Sequence, residues 1–154
     1  MRVDFIEPFA GSAVAVLSEV LKVKADKGSI TLEKGLAPKE NFLVTFGLTG
    51  DFEGTVLFDA SEETVLRMAS TMSGDEFAEL ETMAMDCVAE LMNMVIGRSV
   101  TVLNDMGFTF GITPPTVYRG RGMMVHSREL ESLVVPVKMP FGSLSVSVSL
   151  KEAA

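Results

Sequence analysis

A chain of 154 residues, 47% hydrophobic and 22% charged, has the balance of one folded domain (residues 1–154) with a sizeable core. Its formal charge of -8 argues against nucleic acid and anionic membrane surfaces, which are bound mainly through Lys and Arg, and no uncharged apolar run approaches the roughly 20 residues that span a bilayer. Cys87 is the only cysteine, which excludes an intrachain disulfide and a cysteine-based metal site; together with an N-terminus unlike a signal peptide, it points to a cytoplasmic protein.

Ile6, Phe9, Ala10, Ala13, Leu17, Val20 and Leu21 recur at helical spacing, and Pro8 suits a first turn. An amphipathic helix is predicted over about residues 5–22. Lys24 to Lys27 closes it in a charged turn with Gly28, and Ser29 to Leu32 alternates as a strand. Asn41 to Leu48 places Phe42, Val44, Phe46 and Leu48 on one face and Leu43, Thr45 and Gly47 on the other. After a Thr49-Gly50-Asp51 turn, Phe52 to Phe58 completes a hairpin. Ser61 before Glu62 and Glu63 reads as the N-cap of a helix reaching about Met72.

Ser73-Gly74-Asp75-Glu76 has capping-box spacing and predicts a long helix over about 75–106, with Gly107 as its stop. Phe108 to Ile112 leads into Pro114-Pro115, which excludes regular helix and stiffens the backbone. Thr116 to Arg121, Met123 to His126 and Leu133 to Met139 are strand candidates. Gly142 to Leu150 alternates four apolar residues with Ser143, Ser145, Ser147 and Ser149, a strand with one dry and one wet face. The order of elements predicts an α+β fold, helices packed on one face of a mostly antiparallel sheet.

Within the long helix, Asp86, Glu90, Asn93 and Gly97 are spaced by four, three and four residues. At about 100° per residue they share one stripe in an otherwise apolar segment. Asp75, Glu79 and Thr82 project to the same side. The stripe is either a solvated helix face or a set of groups presented to a partner. Asn is a mediocre helix former, and Gly in mid-helix costs about 1 kcal/mol relative to Ala. Both call for a compensating reason, which for Gly97 would be close approach of another surface. Met83, Met85, Met92 and Met94 surround the stripe as core filler or as a soft docking rim. His126 has no Cys, Asp or second His at ligand spacing, Cys87 has no evident activating base, and no nucleotide-binding glycine motif occurs. Arg119 and Arg121 read as a solvated strand or as a contact for an acidic partner. What stands out is an acid and an amide offered together.

Asp86-x3-Glu90-x2-Asn93, followed by Ile112-Thr113-Pro114-Pro115-Thr116-Val117, resembles the CheC/CheX/FliY phosphatases of bacterial and archaeal chemotaxis. Their pattern is Asp or Ser, three residues, Glu, two residues, Asn, and a proline a little over twenty positions on; Pro114 and Pro115 both fall near that spacing. The similarity covers most of the chain, and the single copy of the motif is similar to the CheX type. The resemblance implies a CheX/CheC-like fold and a homodimer formed through sheet edges, which the serine-faced terminal strand would allow. It also implies hydrolysis of the aspartyl phosphate on a CheY-type response regulator. An acyl phosphate needs an in-line water and charge neutralisation more than a covalent nucleophile. The regulator would bring the phosphoryl group, a Mg²⁺ held by its own acids and a lysine, and this chain would bind no cofactor. By the same resemblance Asn93 orients the attacking water, its carboxamide being both donor and acceptor. Glu90 pairs with the regulator's lysine, Asp86 supports the helix face or the docking contact, and Gly97 leaves room for the regulator's backbone. Two other readings stay open: a non-enzymatic interaction or scaffold module of the same fold, and a dimeric ligand-binding domain with a Met-lined groove.

Overall fold

Alternating apolar positions in the strands and apolar faces on three helices meet in one layer. The computed structural model describes residues 3–126 and 131–153. A short 3₁₀ turn, Val3–Phe5, opens into α1 (Ile6–Leu21), followed by β1 (Asp26–Lys27), β2 (Thr31–Lys34), β3 (Phe42–Gly50), β4 (Phe52–Ala60), α2 (Glu62–Ser73), α3 (Thr82–Asp105), β5 (Phe110–Ile112), β6 (Thr116–Arg119), β7 (Glu131–Met139) and β8 (Gly142–Glu152). The strands run β1-β7-β8-β4-β3-β5, with β2 also on β7 and β6 also on β3, and every pairing is antiparallel. The α+β expectation holds.

Phe42, Val44, Phe46, Val56, Phe58, Val146 and Val148 join Phe9, Leu17, Val65, Met68, Val88, Leu91 and Val95 in the main core. Full burial of such a side chain is worth about 1.5–3 kcal/mol. That anchors α3 by its inner face and leaves its outer face free for groups the fold does not need. A ring cluster of Phe5, Phe52, Phe108 and Phe110 pins the exit of α3 to the entry of α1, with centroids 4.6–6.0 Å apart. On the other face of the sheet Leu36, Leu43 and Leu57 form a smaller cluster, covered by Met123 and Val125. Met123 to His126 is therefore not a strand: Gly122, at φ +61°, turns the chain out of β6 and lays this segment over the sheet.

Further expectations are corrected. The long helix begins at Thr82, not near Asp75. Gly74, at φ +78°, ends α2 by donating its N–H to the Ser70 carbonyl, so the predicted capping serine, Ser73, is the last residue of the preceding helix. Asp75 and Glu79 thus lie in a connecting loop and are not on the helical stripe. The terminal strand is not an edge, because β8 lies between β7 and β4. Its serine face is not wet throughout: Ser147 and Ser149 are buried, and Ser149 Oγ donates to the Glu131 carbonyl at 2.7 Å. Alternation reports the two faces of a strand but says nothing of its lateral neighbours. Finally, the charged turn after α1 contains the short β1 bridge to β7, pairing Asp26 with Lys138.

Candidate active site

The apolar residues of α3 fall at helical spacing, so Ala84, Val88, Leu91, Met92, Val95, Ile96, Ser99 and Leu103 are all buried. The residues between them are turned outward by the same period. Asp86 and Glu90 are exposed, and Asn93 and Gly97 are half-buried on the shoulder of the helix. The four lie within an arc of about 60°, and Asn93 is about 4.5 Å along the axis from Glu90. The structure brings these predicted residues together. Among the described residues, no hydrogen bond or ion pair engages the side chains of Asp86, Glu90 or Asn93. For a surface carboxylate that is ordinary. For a half-buried carboxamide it leaves a full set of donors and acceptors turned outward.

Gly97 completes the arrangement. A Cβ built there would have nothing within 4 Å, so none of the described residues demands a glycine at this position. The methionines divide. Met92 is fully buried and Met85 half-buried, whereas Met83 and Met94 are exposed on the outer face of α3.

Two neighbours pack beside α3. On one side Arg98 Nη1 reaches both carboxylate oxygens of Glu19 in α1, at 3.4 Å. Asn93 is turned about 140° from Arg98 around the helix, away from α1. α3 also touches β5 and β6, the edge that carries the two prolines. These two short strands are one edge strand with a break. Ile112 stands opposite Leu48 and Thr116 opposite Thr45, so Thr113, Pro114 and Pro115 face only Phe46 and Gly47. One extra residue makes a bulge. Prolines have no N–H for the ladder, and Thr113 compensates. Its N–H donates to the Gly47 carbonyl (3.0 Å), its Oγ1 accepts from the Gly47 N–H (2.8 Å), and the same hydroxyl donates to the Pro114 carbonyl (3.2 Å). Pro114 is exposed and Pro115 half-buried, and neither is bonded to Glu90 or Asn93.

Sequence reasoning missed Thr113 and the true part of Arg119. Arg119 Nε donates to Glu62 at 2.6 Å and its Nη1 donates to the Leu80 carbonyl at 3.2 Å. The Glu62 carboxylate holds the guanidinium above its ordinary pKa. This arginine ties the bulged edge to the start of α2 and to the loop that delivers α3. No local signal marks it, because its partners are far away in the chain. Arg121, the other half of the predicted pair, is exposed beyond the end of β6. His126 lines a groove on the opposite face of the sheet, and Cys87 is a free, half-buried thiol. Among the described residues, no group of three or more His, Cys, Asp or Glu is placed to hold a metal ion.

The family model described as chemotaxis phosphatase CheX matches residues 42–138, a span that includes both the α3 stripe and the proline bulge. The CheY-P phosphatase CheX of Thermotoga maritima is 28% identical over 146 residues, covering 94% of this chain and 91% of that one. A chain of the CheX-CheY-BeF3-Mg²⁺ complex from Borrelia burgdorferi is 32% identical with a TM-score of 0.81, covering 98% of this chain and all of that one (100%). A chemotaxis protein CheX from Desulfovibrio desulfuricans superposes with a TM-score of 0.87 at 23% identity, covering 97% of this chain and 100% of that one. With its helices layered on one antiparallel sheet and its acid–amide stripe inside the matched span, this chain belongs to the chemotaxis phosphatase CheX family.

Proposed function

We propose that this protein hydrolyses the aspartyl phosphate of a CheY-type response regulator, with Asn93 orienting the attacking water and Glu90 pairing with the regulator's lysine. The observation that carries the reading is an acid and an amide, one helical turn apart on an outer face, neither engaged by any other described residue. The regulator contributes the labile acyl phosphate and the Mg²⁺ that neutralises it. This chain contributes position: a carboxamide whose oxygen accepts from the water and whose N–H₂ donates toward the phosphoryl oxygens, and a carboxylate that fixes register. Asp86, exposed one turn before Glu90, belongs to the docking contact, and the rigid Pro114-Pro115 bulge frames it. A CheX relative is found in complex with CheY, BeF3 and Mg²⁺, which supports the same class of partner here.

The protein would act as a cytoplasmic homodimer of single domains. No described helix is long and apolar enough to cross a membrane. Among the described strands, the open edges available for pairing two sheets are those of β1 and β2 and of β5 and β6, since β8 is internal.

Phosphate release from a phosphorylated receiver domain, followed with and without this protein, tests the reading. Asn93→Ala is expected to lower kcat by about 100-fold, in the range seen for loss of one preorganised polar group, while receiver binding and the unfolding midpoint persist. Glu90→Ala is expected to raise KM, so that added regulator recovers part of the rate. Unchanged turnover by Asn93→Ala would refute the assignment. A wild-type protein that binds the receiver without accelerating its hydrolysis would make the chain a scaffold module instead.

A further inference from the structure

Glu90 and Asn93, in the roles proposed above, address a lysine, a water and a phosphoryl oxygen. These are the chemistry of an aspartyl-phosphate site and not the signature of one regulator. Selection among regulators has to rest on side chains around that pair. Two large apolar side chains stand on the same crest: Met83 is 62% exposed and Met94 39%, whereas Met68 and Met92 are fully buried in the core. With Glu90 taken as 0°, Met83 and Met94 fall at about 20° and 40° around α3, one two turns before the carboxylate and the other one turn after it. The acid thus stands on a line between two thioethers. Met94 also adjoins Asn93 in sequence, and Gly97 beyond it adds no side chain that would hold a partner off.

The occupant follows from that continuity. A body that brings a phosphoryl group within hydrogen-bond reach of Asn93 covers Met94 as well. A second copy of this chain seated there would mask Glu90 and Asn93. The grooves at Asp59, at Met123 and at Arg119 are lined by none of these crest residues. The thioether is unbranched and polarisable, and adapts to apolar surfaces of different shape.

On the phosphatase reading, we propose that Met83 and Met94 are the apolar grip that selects the regulator. A receiver domain carrying an aspartyl phosphate, with an apolar side chain beside its phosphoryl cleft, buries both thioethers as Glu90 and Asn93 engage.

The test is the double variant Met83→Gln/Met94→Gln, which keeps length and helix propensity and adds polarity. Met124→Gln, at a position 93% exposed on the other face of the sheet, serves as control. Two quantities are measured: KM and kcat for phosphate release, and Kd for the same receiver loaded with BeF3⁻ and Mg²⁺. The double variant is expected to raise KM and Kd about tenfold, in the range of interface hot spots, with kcat within about twofold and the unfolding midpoint unchanged. Met124→Gln is expected to match the wild type. KM and Kd within about twofold of wild type in the double variant would overturn the grip, and so would a fall in kcat with Kd unchanged. Either result leaves Asn93→Ala as the separate test of the phosphatase reading. If the wild type binds the loaded receiver without accelerating hydrolysis, that reading fails and Kd alone decides the grip; if it does not bind, both are overturned.

Discussion

Replacing Gly97 by Ala adds a Cβ that meets nothing within 4 Å, in the interior of a 24-residue helix. Helix propensity alone then favours the alanine by about 0.5–1 kcal/mol. Gly97→Ala is therefore expected to raise the urea midpoint and, on the proposed docking, to lower kcat/KM, because the added methyl would stand where the regulator's backbone approaches. Activity equal to wild type would remove Gly97 from the docking surface and leave its glycine unexplained. The stripe of Asp86, Glu90, Asn93 and Gly97 is legible in the sequence because a period of 3.6 turns polar residues to one side of a buried helix. The division of the methionines follows from the same period: Met83 and Met94 are in phase with Glu90, and Met85 and Met92 are nearly opposite it. What the period does not carry is whether anything in the chain bonds to Asn93, since that depends on elements brought in by the fold.

Where α3 starts and how the prolines are held are matters of elements competing for the same residues. Ser73-Gly74 satisfies two patterns, the N-cap of a following helix and the glycine stop of a preceding one. The stop prevails because Gly74 in the left-handed region directs its N–H to the last turn of α2. Ser70 and Ser73 then take up the loop, accepting from Phe77 N–H at 3.0 Å and Asp75 N–H at 3.1 Å. The proline bulge is legible as a stiff break, but its partner is not. Gly47 and Thr113 are 66 residues apart, and no local pattern joins them. Gly47 is small for a steric reason: a Cβ there would come within 3.0 Å of Thr113 Cγ2. Thr113→Val keeps that shape and removes the hydroxyl that bonds the Gly47 N–H and the Pro114 carbonyl. It is expected to cost about 1 kcal/mol in urea unfolding and to speed amide exchange at Gly47. Exchange at Gly47 as slow as in wild type would show that the bulge is held by backbone bonds alone.

At the scale of the whole molecule the sheet separates two environments, and its far face carries a buried charge that the catalytic proposal does not use. Asp59, 2% exposed near the end of β4, accepts from the backbone N–H of Lys39 (2.5 Å) and Glu40 (3.2 Å) and so fastens the loop that lays Leu36 on Leu43 and Leu57. Burial pushes its pKa above the usual carboxylate value; the two amide donors oppose that shift without cancelling it. A carboxyl whose pKa is raised on folding binds its proton more tightly folded than unfolded. The fold therefore draws full benefit from it below the ordinary carboxylate pKa and loses that benefit as pH rises through the folded value. Asp59→Asn keeps an oxygen for both amide donors and removes the buried charge. Its stability relative to wild type is expected to be most favourable at neutral pH and to decline on acidification toward about pH 4, as wild-type Asp59 becomes neutral too. Urea unfolding of both proteins from neutral to acid pH measures this difference. A difference that instead moves in the variant's favour on acidification would mean that the carboxylate is held ionised. The Lys39 and Glu40 amides would then outweigh the burial, and the loop over the far face would be fastened by charge.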